Sequence, residues 1–583
     1  MNTDYPDLSI FKQFAQDNLK SHLRSLDGKK DLLIDEELMK PLDHITGVTF
    51  LRAHGVEKIY KLQPGGIEQG CDQRIFIVRP YPDRMKLIAE SINFDKSKSV
   101  RRKYHVILTP KKLSTCELIL EQEGIFGDVT IDEFQLDMIP LDVDLMSFEM
   151  PLCFKQFFLD DDMTWFHTIA RAICGMQSMF GVISKGYCIG AKSKMLYELL
   201  MTMMSDDRDY HPPNGSEIGS FLLVDRDVDI VSMLCSQLTY EGLVAETFGI
   251  KSGIVEFGKE VTGSDQSARL NLNSSDQVFL EIRGMHVTGV FPFLSHKAKQ
   301  LQCGYEKRNQ LESVQDFKQF VSEDLKALKQ QHKSLALHIG ACEAISSKKN
   351  VDNFEECLHV EQCLLEDARG KESINYIETC INRQRPEMHC LRLLCLLSMC
   401  KGGIDTKTYR SLKNQYLQSF GYHHSVTLKR LKDMGIFSES SVKRNVFPKI
   451  RKKFNLIPKD PDAIGRSSPP KDVAYVFGGA YSPFLIKLIE QVISKGLLAP
   501  LEETLRSFHI PTMEHKTATS ARQHGSTTKA AAYKTVLVVF VGGCTHTEVN
   551  ALRFIGKQLG FKFVIMTTAI LTAEDYLKTI AIG

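Results

Sequence analysis

The chain has 583 residues, and its 73 Lys and Arg against 71 Asp and Glu leave a net charge of +2. No global field draws such a chain to nucleic acid or to an acidic membrane, so any binding of that kind has to come from a local patch. The length allows roughly three or four domains of about 100–200 residues each, and the longest apolar stretches, such as Val536 to Val541, fall far short of the ~18–20 residues that cross a bilayer. The opening MNTDYPDLSIFKQFAQ has no basic region followed by an apolar core, so a cytoplasmic protein is expected.

In the first 150 residues short apolar runs, Asp31 to Ile34, Ile75 to Val78, Tyr104 to Leu108 and Met138 to Leu141, alternate with helical patterns. That alternation predicts βαβ crossovers and a parallel sheet covered on both faces. Pro151 to Ser220 reads mostly as helices around the single tryptophan, Trp165, with a loop at Ser205 to Ser216. FLLVDRDVDIVSMLCSQLTYEGLVAETFG, from Phe221 to Gly249, follows as a buried strand, a turn of alternating carboxylates and a helix. From Leu311 a 3–4 spacing runs through Val314, Lys318, Val321, Leu325, Leu328, His332, Leu335, Ile339 and Cys342, apolar at eight of ten positions. This is a heptad seam on a helix longer than about 45 Å. A break at Ser346 to Asp352 and a renewed pattern from Phe354 to Leu365 predict that the helix turns back there as a hairpin.

Further short helices run from Ser373 to Phe437, and SVKRNVFPKIRKKFNLIPK, from Ser441 to Lys459, carries seven Lys or Arg. A solvated linker face is the favoured reading of that segment, with a membrane-surface or nuclear-import role as the alternative. Buried strands are expected again at Val473 to Phe477 and Val536 to Val541, with a disordered polar stretch from Thr512 to Lys529. Strands of one buried composition separated by about 200 helical residues predict one α/β domain interrupted by an all-α insertion.

Four segments invite a chemical reading. Asp225-x-Asp227-x-Asp229 at a strand end matches the nucleophile motif of haloacid dehalogenase-type phosphatases, yet no later Asp-Asp pair or G-D-x-x-x-D supplies the Mg²⁺ carboxylates that chemistry needs. Arg226 between the first two carboxylates is a natural salt-bridge partner for them, and carboxylates at a helix entrance cap free N–H groups. GYCIGAKS, from Gly186 to Ser193, has three residues between its glycines and Ala191 before Lys192, where a phosphate-binding loop needs four and a direct lysine. After the strand at Val536, Gly542-Gly543 make a tight turn, and Thr545 with Glu548 forms a T-x-x-E capping box where an anion could sit. The His423-His424 pair reads as surface, not metal. The fifteen cysteines contain no C-x-x-C pair, and Cys390, Cys395 and Cys400 are spread around a helix, so buried reduced thiols are expected. No catalytic, metal or cofactor site is complete, which favours a binding scaffold.

The blocks at 221–250 and 536–554 resemble the two hallmark blocks of the SM (Sec/Munc) family, which governs SNARE assembly in membrane fusion. They contain a D-R-x-x-D strand end (Asp225, Arg226, Asp229), an L-T-Y-x-x-L helix (Leu238, Thr239, Tyr240, Leu243) and G-G-x-T-x-x-E-x-x-A-L-R from Gly542 to Arg553. GKKDLLIDEELMKPLDHI (28–45), LEQEGIFGDVTIDEF (120–134), MIPLDVDLMSFEMP (138–151) and YRSLKNQYLQSFGY (409–422) resemble the family's vacuolar B-type branch. A departure is the short connection from Phe437 to Leu456, where that branch has a longer polar insert. The resemblance implies an arch-shaped three-domain SM fold: two parallel α/β sheet domains, with a helical domain inserted in the second. Domain 1 would span 1–150, domain 2 would comprise 151–258 and 467–583, domain 3a would be 259–370 and domain 3b 371–466. It further implies SNARE contacts through the arm at Leu325, Lys329, His332 and Lys333. A companion subunit of the vacuolar protein sorting-associated 16 class, in a B-type complex or a HOPS/CORVET-like tether, would dock at Tyr422, Val426 and Leu431, with Ser425 standing where an apolar residue is expected. Asp225, Arg226, Asp229, Gly542 and Gly543 would form a structural hub. The implied setting is peripheral, on late endosomes or lysosomes, with early or recycling endosomes also open, and with no nucleic acid. Two alternatives stand beside it: a pure adaptor without SNARE binding, and a Mg²⁺-dependent phosphatase or ATPase using Asp225.

Overall fold

The computed structural model describes residues 5–67, 69–206, 217–306, 325–351, 353–440, 446–465, 469–516 and 534–581. They form two compact units, one of Pro6–Glu149 with Trp165–Gly175, the other of most of the remaining chain.

The first unit is built on β1 (Lys30–Ile34), β2 (Val56–Lys61), β3 (Gln73–Val78), β4 (Lys103–Leu108) and β5 (Val129–Glu133), all parallel, in the order β2-β1-β3-β4-β5. Central strands buried on both faces have no room for polar alternation, which is why β1, β3 and β4 stand out in the sequence as apolar runs. Edge strands β2 and β5 expose part of each face and carry Glu, Lys, Asp and Thr. Ile88 and Ile92 of the helix Pro82–Ser97 and Leu120 of Ser114–Gln122 cover Phe76, Val78, Val106 and Leu108. A buried Arg74 is held by Asp95 at 2.7 Å, and the Tyr104 hydroxyl donates to the same carboxylate at 3.0 Å. The run at Met138–Leu141 is a strand, β6 (Ile139–Asp142), but it pairs antiparallel with β7 (Leu145–Ser147) instead of extending the parallel series.

In the second unit β8 (Lys185–Ile189) and β9 (Ser220–Asp225) come first, then the small antiparallel hairpin β10 (Ile254–Phe257) and β11 (Ala268–Asn271), and finally β12 (Thr512–Lys516), β13 (Thr535–Val541) and β14 (Lys562–Thr567). Five of these strands share a sheet in the order β12-β8-β9-β13-β14, parallel apart from the antiparallel edge β12. Val541 faces Asp225 across the β9–β13 ladder. Strands far apart in sequence are thus neighbours, and the chain between them is dominated by helices, as expected for an interrupted sheet.

Four further expectations need correction. β8 lies inside the segment read as helical, and β12 occupies the start of the stretch read as disordered, whose remainder from 517 falls outside the described residues. Val473–Phe477 is a buried 3-10 turn opened by Asp472, not a strand, because a five-residue apolar run fits either. The long helix Leu325–Val351 packs on the preceding helix Val287–Glu306, with Val290, Leu294 and Leu301 sharing a core with Leu335, Ala341 and Ile345. Phe354–Glu366 instead packs on Glu387–Lys401, because it carries the buried Glu361, whose carboxylate needs Arg392 2.7 Å away. Leu311 to Val321 of the seam lie outside the described residues, as does most of the Ser205–Ser216 loop.

Candidate functional site

β9 delivers Asp225, Arg226 and Asp229 to one end of the sheet, and each is consumed differently. Asp225 turns to the helix Ala191–Asp206, where the backbone N–H groups of Lys192 and Ser193 each donate to it at 2.7 Å. Gly190 just before that helix has φ +118°, and a Cβ there would meet the Asp225 carboxylate at 2.2 Å, so glycine is required for the close approach. The GYCIGAKS segment is therefore a strand end and a capped helix start, with the cap supplied by a neighbouring strand. Burial and the nearby Asp227 push the Asp225 carboxyl up, against the pull of the Ser193 and Lys192 hydrogen bonds.

Arg226 is fully buried, and its Nη1 donates to both oxygens of Glu548 at 2.8 Å while Nη2 donates to the Asp229 carbonyl oxygen. Its partner is thus a glutamate 322 residues away, not the flanking carboxylates expected from the sequence. Burial raises the pKa of Glu548, with Arg226 acting in the opposite direction. Glu548 also closes the expected capping box, accepting from Thr545 N–H at 2.9 Å while Thr545 Oγ1 accepts from Glu548 N–H at 3.1 Å. Thr547 N–H donates to Gln237 at 3.1 Å, so with Glu548 N–H on Thr545 two of the free donors of this buried helix start are engaged by side chains of the protein itself. Gly542 and Gly543 take φ of +99° and +102°; a Cβ on Gly542 would lie 2.7 Å from the Phe158 ring and 3.0 Å from the Arg226 Cβ.

Asp229 caps two helices at once. It accepts from Ser232 N–H at 3.1 Å in the helix Ile230–Leu234 and from Leu485 N–H at 3.1 Å at the start of Phe484–Lys495, with the Tyr481 hydroxyl at 3.2 Å. Asp227 alone points outward. The three carboxylates therefore diverge; among the described residues no group of three His, Cys, Asp or Glu could hold a metal ion. A nucleophile must be reachable, and Asp225 is buried with both oxygens occupied.

Behind this hub the helix Tyr240–Phe248 links sheet to arm. The Tyr240 hydroxyl meets His338 Nδ1 at 2.7 Å, and His338 Nε2 stands 3.3 Å from Asp276, which also accepts from Ser334 at 2.6 Å. Burial opposes the Asp276 charge, but His338, Ser334 and the helix N–H groups outweigh it and hold the carboxyl down at about 2. Glu241 sits with His546 at 3.0 Å, Asn550 at 2.9 Å and Arg553 at 3.4 Å; burial again opposes its charge, and His546 together with the arginines Arg553 and Arg283 outweighs it and brings its pKa to about 2.

The expected binding residues lie elsewhere. On Leu325–Val351 the buried stripe is Ser334, Leu335, His338, Ala341 and Ile345, while Lys329, His332 and Lys333 are exposed, so His332 leaves the seam in which the spacing placed it. Leu325 opens the helix as its first described residue. Tyr422 and Val426 are 70% and 54% exposed, at the 3-10 turn Tyr422–His424 and the start of the helix Ser425–Asp433. Ser425 is exposed beside them. Leu431 is wholly buried, since position 431 falls on the inner face of that helix with Thr427 and Leu428, and it is withdrawn as a contact. His424 is likewise buried, with Nε2 3.2 Å from Glu387, and only His423 is at the surface.

Against known proteins, the Sec1 family profile matches residues 30–579. The chain belongs to the Sec1 family. It is 41% identical to Vacuolar protein sorting-associated protein 33B of Homo sapiens over 609 aligned positions, covering 99% of this chain and 98% of that one. Among solved structures it resembles the Unc18–syntaxin 1 complex from Monosiga brevicollis, with a TM-score of 0.60 and 17% identity over 98% of this chain and 99% of that one. The SM protein Vps45 in complex with the Qa SNARE Tlg2 gives a TM-score of 0.60 and 16% identity over 98% and 97%. Sec1-family membership puts the chain among non-enzymatic regulators of vesicle transport and fusion, and the phosphatase alternative falls with it.

In this Sec1-family chain the motif residues are mutual partners: Asp225 and Asp229 cap helices, Arg226 grips Glu548, and Thr239 meets Thr547 at 3.2 Å. Reasoning from sequence missed Glu548 as the arginine's partner, and it missed the Glu241–His546 and Glu361–Arg392 pairs entirely. The available signal was polar residues inside segments otherwise apolar, since buried charges are retained where they are paired.

Proposed function

We propose that the chain regulates SNARE-mediated membrane fusion and tethering on the endosome-to-lysosome route, acting with a companion subunit of the vacuolar protein sorting-associated 16 class. The observation that carries this reading is the near end-to-end 41% identity to a vacuolar protein sorting protein. Two solved structures with the same fold, Unc18 with syntaxin 1 and Vps45 with the Qa SNARE Tlg2, add support. SNARE helices meet the 259–370 part through the exposed face of Leu325–Val351, with Lys329, His332 and Lys333 as contacts and Leu325 at its start. A helix bearing exposed cations beside apolar positions can seat an amphipathic helix with acidic flanks. The companion meets the 371–466 part at Tyr422 and Val426, where an exposed aromatic beside an apolar side chain suits a protein anchor. Residence is peripheral on late endosomes or lysosomes, and among the described residues no helix is long and apolar enough to cross a membrane.

The test is capture by the purified full chain of assembled and unassembled SNARE helices, and separately of the companion. Capture of both partners is expected. The exposed Tyr422–Val426 patch by itself favours a second reading, a pure adaptor, and companion binding with no SNARE retention would select it.

A further inference from the structure

The helix Phe447–Lys453 buries Phe447, Ile450 and Arg451. Arg451 is spent internally, donating to the Leu365 carbonyl oxygen and lying 3.7 Å from Asp367. At about 100° per residue, Lys449, Lys452 and Lys453 then fall within roughly 100° of arc on the opposite side, and all three are exposed. None of them has an acidic partner among the described residues. Lys459, also exposed, follows six residues later.

The chain beyond this helix lines a surface groove of about 390 Å³, with Asn455 and Pro458 on one side and Gln491, Ser494 and Lys495 of Phe484–Lys495 on the other. The two carboxylates in its wall, Asp472 and Glu490, are engaged by Lys487 at 3.9 and 3.1 Å, which leaves Lys495 as a further cation without an acidic partner among the described residues. Leu497, two residues on, is 42% exposed.

We propose that this face is a docking surface for an anionic bilayer, in which Lys449, Lys452 and Lys453, flanked by Lys459 and Lys495, contact phosphate-bearing headgroups. Basic side chains arrayed on one helix face are attracted to anionic leaflets within a Debye length. That range suits a patch on a chain whose net charge is only +2. A polyanion such as nucleic acid fits less well, because single strands are held by exposed aromatic platforms, whereas Phe447 is buried and Phe454 packs on the Phe484 ring at 5.0 Å. The exposed Leu497 suits the apolar layer beneath headgroups. This inference does not depend on SNARE binding, since its test contains no SNARE.

Purified full chain is sedimented with phosphatidylcholine vesicles, with and without phosphatidylserine, in rising salt. Retention is expected only with phosphatidylserine, falling as salt rises, with about a five-fold loss per lysine removed and about a hundred-fold loss for K449Q/K452Q/K453Q. The K449R/K452R/K453R variant is expected to retain binding, and both variants are expected to unfold at the parent temperature. Equal binding to phosphatidylcholine alone, undiminished binding by the glutamine variant, or capture by heparin with no vesicle binding would each overturn the proposal. If the glutamine variant loses its fold, the lipid and salt dependence of the parent and the arginine variant decides.

Discussion

The sheet end around Arg226 and the outer face of the Leu325–Val351 helix are both rich in charge, but they use it in opposite ways. At the sheet end Asp225, Arg226, Asp229, Glu241 and Glu548 are buried, and their hydrogen bonds go to buried neighbours or to helix N-termini. On the arm Lys329 and Lys333 face solvent. The lesson is that the residues most suggestive of catalysis are those least able to perform it, and the proposed binding lies on the less conspicuous surface.

Breaking the ion pair should give the largest effect. Arg226→Leu leaves the buried Glu548 without its counter-charge, and thermal and denaturant unfolding should show a loss of about 3–5 kcal/mol. The double variant Arg226→Leu with Glu548→Leu should recover much of that loss; a double variant as unstable as the single would show that the guanidinium matters for packing, not charge.

Asp229→Ala removes caps from two helix starts together and should cost roughly 2–3 kcal/mol by the same measurement. Acid should separate the two regions next. Glu241 and Asp276 have pKa values lowered to about 2 in the folded chain. Their contribution is therefore complete above the unfolded carboxylate values of 4.5 and 3.8 and is lost as pH falls from there toward 2, where the unfolded chain binds more protons than the folded one. Unfolding temperatures followed from pH 6 downward, to about pH 2, should drop steeply in that window, and Glu241→Gln should flatten the drop. Tyr240→Phe, which removes the hydroxyl from His338, should cost only about 1 kcal/mol, visible as faster hydrogen exchange along Leu325–Val351.

The same contrast explains what the sequence disclosed. Strands buried on both faces, β1, β3, β4, β9 and β13, are legible because uniform burial imposes uniform composition. Edge strands β2, β5 and β12 are not, since half-exposed residues carry no such constraint. β8 was hidden by Gly186, which a Cβ would drive against Phe221 at 2.7 Å, a packing reason that spacing cannot show. The arm's helix was legible and its partner was not, because a seam shows that a helix packs but not on what. For the site, the motif blocks showed which residues cluster, whereas the pairing of Arg226 with Glu548 depends on a ladder between distant strands. Leu431 illustrates the converse: apolar character marks it equally for core or interface, and only the turn of the helix puts it inside.

Frame and proposed binding surface are separate in this chain, and Lys329→Glu with Lys333→Glu tests that separation most directly. The double variant should unfold within about 0.5 kcal/mol of the parent while capture of a purified SNARE bundle falls at least ten-fold. Unchanged capture by the well-folded variant would contradict the claim that this face of the arm holds the SNARE helices.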